Sequence, residues 1–291
     1  MYFILCTISY IYSVEIRVAS VCTIRISVMT IPRTTTMPTG SGTENKVYLP
    51  KDNTLLAALS ADVFSRLRPD LVPVAMPLGE VIYESGAEVK HVYFPAPGCI
   101  VSMLYVMTDG SSAEIAVVGD EGLVGIALFM GGGSTPSRAL VQSAGLAFQL
   151  KASALTREFE RHSGLQILLL RYTQALITQM SQTAVCNRHH SVDQQLCRWL
   201  LLSLDRLPTN ELTMTQELIA NMLGVRREGV TEAAGKLQAQ GLIRYSRGRI
   251  EVLDRPGLEA QACECYQVVK NEYERLLPPK TESLASVAVI P

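Results

Sequence analysis

The 291-residue chain is 48% hydrophobic and 18% charged, which provides enough apolar material for two domains with separate cores. Its formal net charge of −1 excludes a chain that is basic throughout, so any contact with nucleic acid must use a local basic surface. The seven cysteines form no Cys-x-x-Cys pair, and we interpret them as reduced thiols of a cytoplasmic protein.

Residues 1–45 are predicted to be a disordered lead-in, or the result of a start assigned too far upstream of Met29 or Met37. The first 29 residues are partly apolar, but charged residues such as Glu15 and Arg25 interrupt them. That run is too broken for a membrane span, and a signal peptide would need a cleaner apolar centre. We expect no membrane segment.

Residues 46–160 are predicted to form a compact β-roll or β-sandwich after a short helical segment, TLLAALSADVF, at 54–64. Short β runs alternate there with turn dipeptides, which is typical of such folds. The runs are 80–83, 91–94, 100–107, 113–118 and 139–149. Asp109-Gly110 predicts a tight hairpin, because both residue types tolerate positive φ.

A long helix is predicted at 161–190. Apolar and then polar residues recur along it in alternating steps of four and three: Leu165, Leu169, Tyr172, Leu176, Gln179, Thr183 and Cys186. This spacing favours a two-stranded coiled coil between two copies of the chain, although packing against the chain's own β domain fits it too. A second helix at 192–204 follows a hinge near 187–191.

Residues 191–256 have the pattern of a winged helix-turn-helix. The stretch LTMTQELIANMLGVRREGVTEAAGKLQAQGLIRYSRGRIEV predicts two short helices joined at Gly224, then a β-hairpin with its turn at 246–249. Thr213 or Thr215 can cap the first helix, and Gly241 ends the second. Between residues 224 and 249 six basic residues outnumber two acidic ones, a local charge of +4 where phosphate contacts would form.

A β-roll, a long helix and a winged helix-turn-helix, in that order, resemble the Crp/Fnr family of bacterial transcription regulators. The most specific parts are LGEVIYESGAEVKHVYFPAPGCIVSM, VVGDEGLVGIALFMGGGSTPSRALVQSAG and the helix-turn-helix, and the resemblance covers roughly residues 47–255. It implies a cyclic-nucleotide-binding-like sensor domain and a homodimer that binds palindromic double-stranded DNA and contacts RNA polymerase.

The resemblance places Arg227 and Glu228 at the family's main base-reading positions. Arginine can bind guanine O6 and N7, and glutamate can accept from cytosine N4. Arg226 could reach bases or phosphate, and Thr215 matches a phosphate-contacting residue. Glu232 stands where the best-known member has another base-contacting arginine, so we expect the operator to differ there. The other predicted DNA-binding residues are Thr231, Arg247 and Arg249.

The sensor pocket departs from the pattern of cyclic-nucleotide-binding members, which carry a Gly-Glu pair and then an Arg-Ser or Arg-Thr pair for the ribose and phosphate. Here Ile126 follows Gly125, and Ala139 follows Arg138. We therefore do not expect cyclic AMP, and both another small-molecule effector and no effector fit the chain. The candidate ligand-binding residues are Gly122, Gly125, Arg138, Gln179 and Thr183, the last two on the polar half of the helix seam, where a ligand could contact both subunits.

Metal chemistry is not predicted. Cys263 and Cys265 are the closest cysteines, but alternate positions diverge on a helix. His189 and His190 also point in different directions on a helix, which favours surface or hinge residues. The isolated Cys6 and Cys22 do not resemble the cysteine group that holds the family's iron–sulfur cluster.

The sequence thus predicts an α+β fold and a DNA-binding transcription regulator without catalytic residues. The domains are a lead-in (1–45), a β-roll (46–160), a dimerisation helix (161–190), a winged helix-turn-helix (191–256) and one C-terminal helix at 257–277 with a tail to 291. A metal- or cofactor-dependent enzyme built on the β-roll would need a His/Glu cluster facing inward, and residues 74–150 contain one histidine, His91. The alternative is an adaptor whose helix-turn-helix binds a protein partner, which the basic wing disfavours.

Overall fold

The computed structural model describes residues 47–279, so the predictions for residues 1–45 and for the last part of the tail lie outside the described residues. The N-terminal part contains α1 (Thr54–Ala57), α2 (Ala61–Leu67), β1 (Val72–Met76), β2 (Val81–Tyr83), β3 (His91–Pro95), β4 (Ile100–Val106), β5 (Ser112–Val118), β6 (Arg138–Ser143), β7 (Gly145–Lys151) and α3 (Ala152–Phe159). The remainder contains α4 (Gly164–His189), α5 (Val192–Leu204), β8 (Glu211–Thr213), α6 (Gln216–Leu223), α7 (Arg227–Ala239), β9 (Ile243–Ser246), β10 (Arg249–Val252), α8 (Arg255–Gln261) and α9 (Glu264–Leu276). No helix between residues 47 and 279 has the length and apolarity to cross a membrane.

The β domain consists of two antiparallel sheets, in the orders β1-β7-β3 and β2-β6-β4-β5. The predicted hairpin at Asp109-Gly110 joins β4 to β5, and Gly110 has the expected positive φ of 86°. The predicted run 139–149 is instead two strands, β6 and β7, which belong to different sheets. The chain passes between them at Gly145, where a Cβ would lie 2.7 Å from Cys99 Cβ. The predicted segment 54–64 also divides, because Ser60 caps a second helix, α2.

The seam predicted on α4 faces the chain's own core. Its seven residues, from Leu165 to Cys186, are all buried within the single chain. Tyr172 illustrates the packing, since its hydroxyl donates to the Leu123 carbonyl oxygen at 3.0 Å inside the β domain. The apolar half of the seam, Leu165 to Leu176, packs against the β domain, whereas Thr183 contacts Arg198 of α5 and Cys186 contacts Cys263 at the start of α9, so the chain itself buries the whole seam.

The C-terminal domain is a three-stranded sheet, β8-β10-β9, with α5, α6 and α7 around a common apolar core. The short strand β8 was not predicted. The single helix predicted at 257–277 is wrong: α8 and α9 are separate, because Ala262 adopts an extended conformation with ψ 153°. α9 then packs along α4 of the β domain.

The two domains share a buried contact between β5 and α5. Trp199 Nε1 donates to Glu114 Oε1 at 3.0 Å, and the other carboxylate oxygen of Glu114 has no hydrogen-bond partner among the residues described. Burial raises the pKa of Glu114 to about 7, against the opposing effects of the nearby Ser102 hydroxyl and the Arg198 and Arg206 guanidinium groups. The carboxyl group is thus more easily protonated in the folded chain than in the unfolded one.

Glu114 should make the stability of the protein depend on pH. Because its pKa rises from 4.5 to about 7 on folding, its contribution is fully present below pH 4.5 and is lost as the pH rises through 7. The free energy of unfolding should fall by up to about 3 kcal/mol from this group alone. Urea denaturation between pH 5 and 8 should show a smaller fall in E114Q than in the wild type. The same change at exposed Glu217 is the control, and equal falls in wild type and E114Q would contradict the assignment.

Candidate nucleic-acid interface

The helix pair α6–α7 is held by the caps that the sequence predicts. Thr215 Oγ1 accepts from the Leu218 backbone N–H at 3.3 Å and begins α6. Gly224 ends that helix in the left-handed region with φ 65°, and α7 begins directly after the extended Arg226. Val230 and neighbouring apolar residues of α7 are buried against α6, so the two helices form one rigid unit with one exposed polar face.

The exposed face of α7 carries the predicted base-reading residues. Arg226, Arg227, Glu228 and Thr231 are all exposed over its first turns. Thr231 Oγ1 lies 2.8 Å from Gln216 Oε1 and 3.0 Å from the Arg227 carbonyl oxygen, and therefore links α7 to the start of α6. Gln216 was not predicted, because nothing in the sequence indicates which residue of α6 would face Thr231.

The β9–β10 hairpin places a further arginine beside the helix pair. Its turn is Arg247-Gly248, with positive φ angles of 51° and 78°. A cleft of about 510 Å³ lies between the hairpin and the helices and is lined by Thr215, Arg227, Tyr245 and Arg247, among others. The Tyr245 hydroxyl donates to the Met214 carbonyl oxygen at 3.0 Å, which holds the hairpin against the loop before α6. Tyr245 also was not predicted as part of this surface.

The basic residues of this region divide into paired and unpaired groups. Lys236 pairs with Asp193 and Glu232, and Arg249 pairs with Glu211 at 3.5 Å. Arg226, Arg227 and Arg247 form no ion pair with any residue in the range 47–279 and are exposed. Three guanidinium groups near the positive N-terminal end of α7 therefore remain available for an anionic ligand.

Each of the predicted sensor residues Gly122, Gly125 and Arg138 is constrained by its own surroundings in the chain. Arg138 Nε donates to Glu84 Oε2 at 2.7 Å, so its charge is already balanced at a half-exposed position. At Gly122 an added Cβ would lie 2.5 Å from the Tyr172 ring, and Gly125 has a φ of 111°. Ile126 follows in place of a carboxylate. Ile126 thus stands where the resemblance expects an acid for the ribose, and the arginine that it expects for the phosphate is paired with Glu84.

Gln179 and Thr183 are buried and bonded within the chain, so the structure does not present them to a second subunit as the seam hypothesis requires. The Gln179 side chain accepts from the Val117 N–H at 2.7 Å and donates to the Tyr273 hydroxyl at 2.9 Å. Thr183 Oγ1 lies 2.9 Å from the Gln179 carbonyl oxygen and accepts from Arg198 at 3.1 Å. Both side chains join α4 to the elements around it.

The reasoning against a metal at Cys263 and Cys265 does not hold in the structure. Cys263 is the extended N-cap of α9 and only Cys265 is helical, so the two side chains converge instead of diverging. Cys186 and His190, at the end of α4, join them, and the four possible ligand atoms all lie within 4.8 Å of one another. The Cys-x-x-x-His spacing at the end of α4 was a signal for such a group, because the His190 N–H still donates to the Cys186 carbonyl oxygen at 3.0 Å and the two residues stay on one side of the helix end.

Comparison with known families identifies both domains. Residues 73–162 match the family profile of the cyclic nucleotide-binding domain, and residues 194–261 match that of the Crp-like helix-turn-helix domain. No curated protein sequence matches the chain.

Solved structures share this fold at low sequence identity. They include a putative Crp/Fnr-family transcriptional regulator from Eubacterium rectale (TM-score 0.56, 19% identity, 75% of this chain and 99% of that one). The match to FixK2 from Bradyrhizobium japonicum (TM-score 0.56, 18% identity) covers 66% of this chain and 98% of the FixK2 chain. The match to the c-di-GMP responsive regulator CLP from Xanthomonas campestris (TM-score 0.54, 18% identity) covers 67% of this chain and 100% of the CLP chain. By its two domains and their fold, the chain belongs to the Crp/Fnr type of transcription regulator.

Proposed function

We propose that the protein binds palindromic double-stranded DNA as a homodimer and regulates transcription from it. The observation that supports this most directly is the cluster of three unpaired, exposed arginines, Arg226, Arg227 and Arg247, beside the N-terminus of α7. Arg227 and Glu228 would read base edges in the major groove. Thr215, Arg226 and Arg247 would contact phosphates on either side.

The remaining predicted residues have secondary roles in this proposal. Thr231, through its contact with Gln216, would hold α7 in register with α6 and still face the groove. Glu232 and Arg249 are already paired with Lys236 and Glu211, and DNA would have to compete for them. We therefore expect their contributions to affinity to be smaller than that of Arg227.

The second copy would pack on the exposed face of α4, opposite the buried seam. Exposed apolar residues recur there at Ile167, Leu170 and Ile177, and Ser181 and Ala184 continue the same three-and-four spacing. Ile167, Leu170 and Ile177 are each more than half exposed within one chain, which is unusual for three large side chains on one helical stripe. Such a stripe is the pattern of a parallel helix pair.

A signal at the β-roll would act by changing the geometry of the dimer. The break between α4 and α5 at His190–Ser191 is the place where the chain can hinge, because His190 is extended and Ser191 caps α5. Cyclic AMP is not the expected signal, because Arg138 is paired with Glu84 and Ile126 replaces the ribose-binding acid. We include contact with RNA polymerase in the proposal only because members of the Crp/Fnr family make it.

Selection of genomic fragments by the purified full-length protein tests this proposal, with and without cyclic nucleotides. We expect one palindromic motif in both conditions, with affinity that falls steeply as salt increases. A motif seen only with a cyclic nucleotide would overturn the account of the pocket. No enrichment, together with bulk DNA binding that does not depend on salt, would favour the adaptor alternative.

A further inference from the structure

Three thiols and one imidazole meet where α4 ends and α9 begins. Cys186 lies in the last turn of α4, and His190 follows that helix directly. Cys263 and Cys265 come from the N-terminus of α9, more than seventy residues later in the chain. The three cysteines are buried and His190 is half-buried, so the cluster lies inside the joint between the long helix and the C-terminal domain.

The distances within the cluster suit one tetrahedral ion. Cys186 Sγ is 3.5 Å from Cys263 Sγ, and Cys265 Sγ is 3.6 Å from His190 Nδ1. Around a tetrahedral zinc ion, with Zn–S about 2.3 Å and Zn–N about 2.0–2.1 Å, two sulfurs would be about 3.8 Å apart and a sulfur and a nitrogen about 3.6 Å apart. An iron–sulfur cluster would separate some of its ligands further, because its four ligands bind two or four different iron atoms.

The surroundings of the cluster match the needs of a metal–thiolate centre. His190 Nε2 lies 3.4 Å from Glu264 Oε2, and a carboxylate on the second ring nitrogen orients a histidine for metal binding through the first. Three thiolates around a divalent cation leave one negative charge. Arg198, which is 3% exposed and has no hydrogen-bond partner at Nε among the residues described, is close enough to influence Cys186.

We propose that Cys186, His190, Cys263 and Cys265 form a zinc site that locks the joint between α4 and the DNA-binding domain. Four protein ligands fill a tetrahedral ion, so the site would be structural and not catalytic. Its ligands lie on both sides of the hinge at His190–Ser191, and loss of the ion would free α9 from the end of α4. Zinc binding is independent of the proposed DNA function, and only its effect on operator affinity rests on that function.

Metal content and cobalt spectroscopy of the full-length, reduced protein test the site. We expect one zinc per chain after purification, and intense thiolate-to-cobalt absorption with tetrahedral bands when Co²⁺ replaces it. C263S and C265S should each lose at least tenfold in zinc affinity, measured by competition with a chromophoric chelator. The matched control is C197S, because Cys197 is equally buried but outside the cluster. C6S/C22S should also keep the metal, which excludes the two cysteines of the first 46 residues as its ligands.

Each alternative result would overturn the site. No bound metal in the wild type after reduction, or an unchanged cobalt spectrum in C265S, would exclude it. A Cys186–Cys263 disulfide in protein that binds no zinc after reduction would identify a redox pair instead. If the cysteine variants do not fold, H190Q decides, since glutamine fills most of the volume of this partly buried side chain without a large core cavity and should still shift the cobalt spectrum.

Discussion

Replacing Arg227 by alanine is expected to weaken binding to the selected operator about 5- to 150-fold, or about 1–3 kcal/mol, and to change binding to random DNA only a few-fold. Arg227 is exposed at the first position of α7 and forms no ion pair with the described part of the chain. Its guanidinium group therefore loses no internal partner on binding. It can donate two parallel N–H hydrogen bonds to the O6 and N7 atoms of a guanine. Fluorescence anisotropy with operator and scrambled duplexes at one salt concentration measures both affinities.

Variants of two other arginines distinguish sequence-specific base contacts from general electrostatic attraction to DNA. Arg247, on the turn of the hairpin, should act on phosphate, so R247A should weaken both duplexes similarly and reduce the salt slope by about one. Arg244 pairs with Glu251 at 2.6 Å, and R244A serves as the control for loss of an exposed arginine in the same domain. If R227A lost equal affinity for operator and scrambled DNA, Arg227 would have no role in base reading.

The parts of the fold that were predictable from sequence are those fixed by local chemistry. Gly224 and Gly241 end their helices at the predicted positions with positive φ, and Thr215 caps α6 with its own hydroxyl. Asp109-Gly110 likewise specifies the β4–β5 hairpin. In each case the residue type and the backbone conformation belong to the same few residues, so no distant contact is needed to predict the result.

Sequence reasoning left alternatives open, or was wrong, where a pattern fits two long-range arrangements. Residues at three-and-four spacing mark a buried helix face but do not say which neighbour buries it, and the β domain covers the more apolar face of α4. Similarly, Cys263 and Cys265 diverge on a helix but converge across its N-cap, and the end of α9 was not visible in the sequence. Arg138 and Glu84 are more than fifty residues apart, so their pairing also needed the structure.

The two faces of α4 should respond in opposite ways to a buried charge. I177D places a carboxylate on the exposed stripe proposed for the dimer, where Ile177 is 51% exposed in one chain. We expect a folded monomer, because a charge in an apolar helix pair is desolvated without a partner, and at least a hundredfold weaker dimerisation, about 3 kcal/mol or more. L169D places the same charge on the buried face, where Leu169 is fully covered by the chain itself, and should unfold the domain instead.

Sedimentation equilibrium and circular dichroism distinguish these outcomes, with V268D on the exposed side of α9 as the control for an added surface charge. A dimeric I177D would show that the second copy packs elsewhere, and a folded monomeric L169D would restore the seam through Leu165 and Leu169 as the interface.

Operator affinity should fall in I177D together with dimerisation, since a monomer can place only one α7 on one half-site of the palindrome. A monomer that kept full operator affinity would mean that the palindrome is not read by two copies, whatever face holds them together.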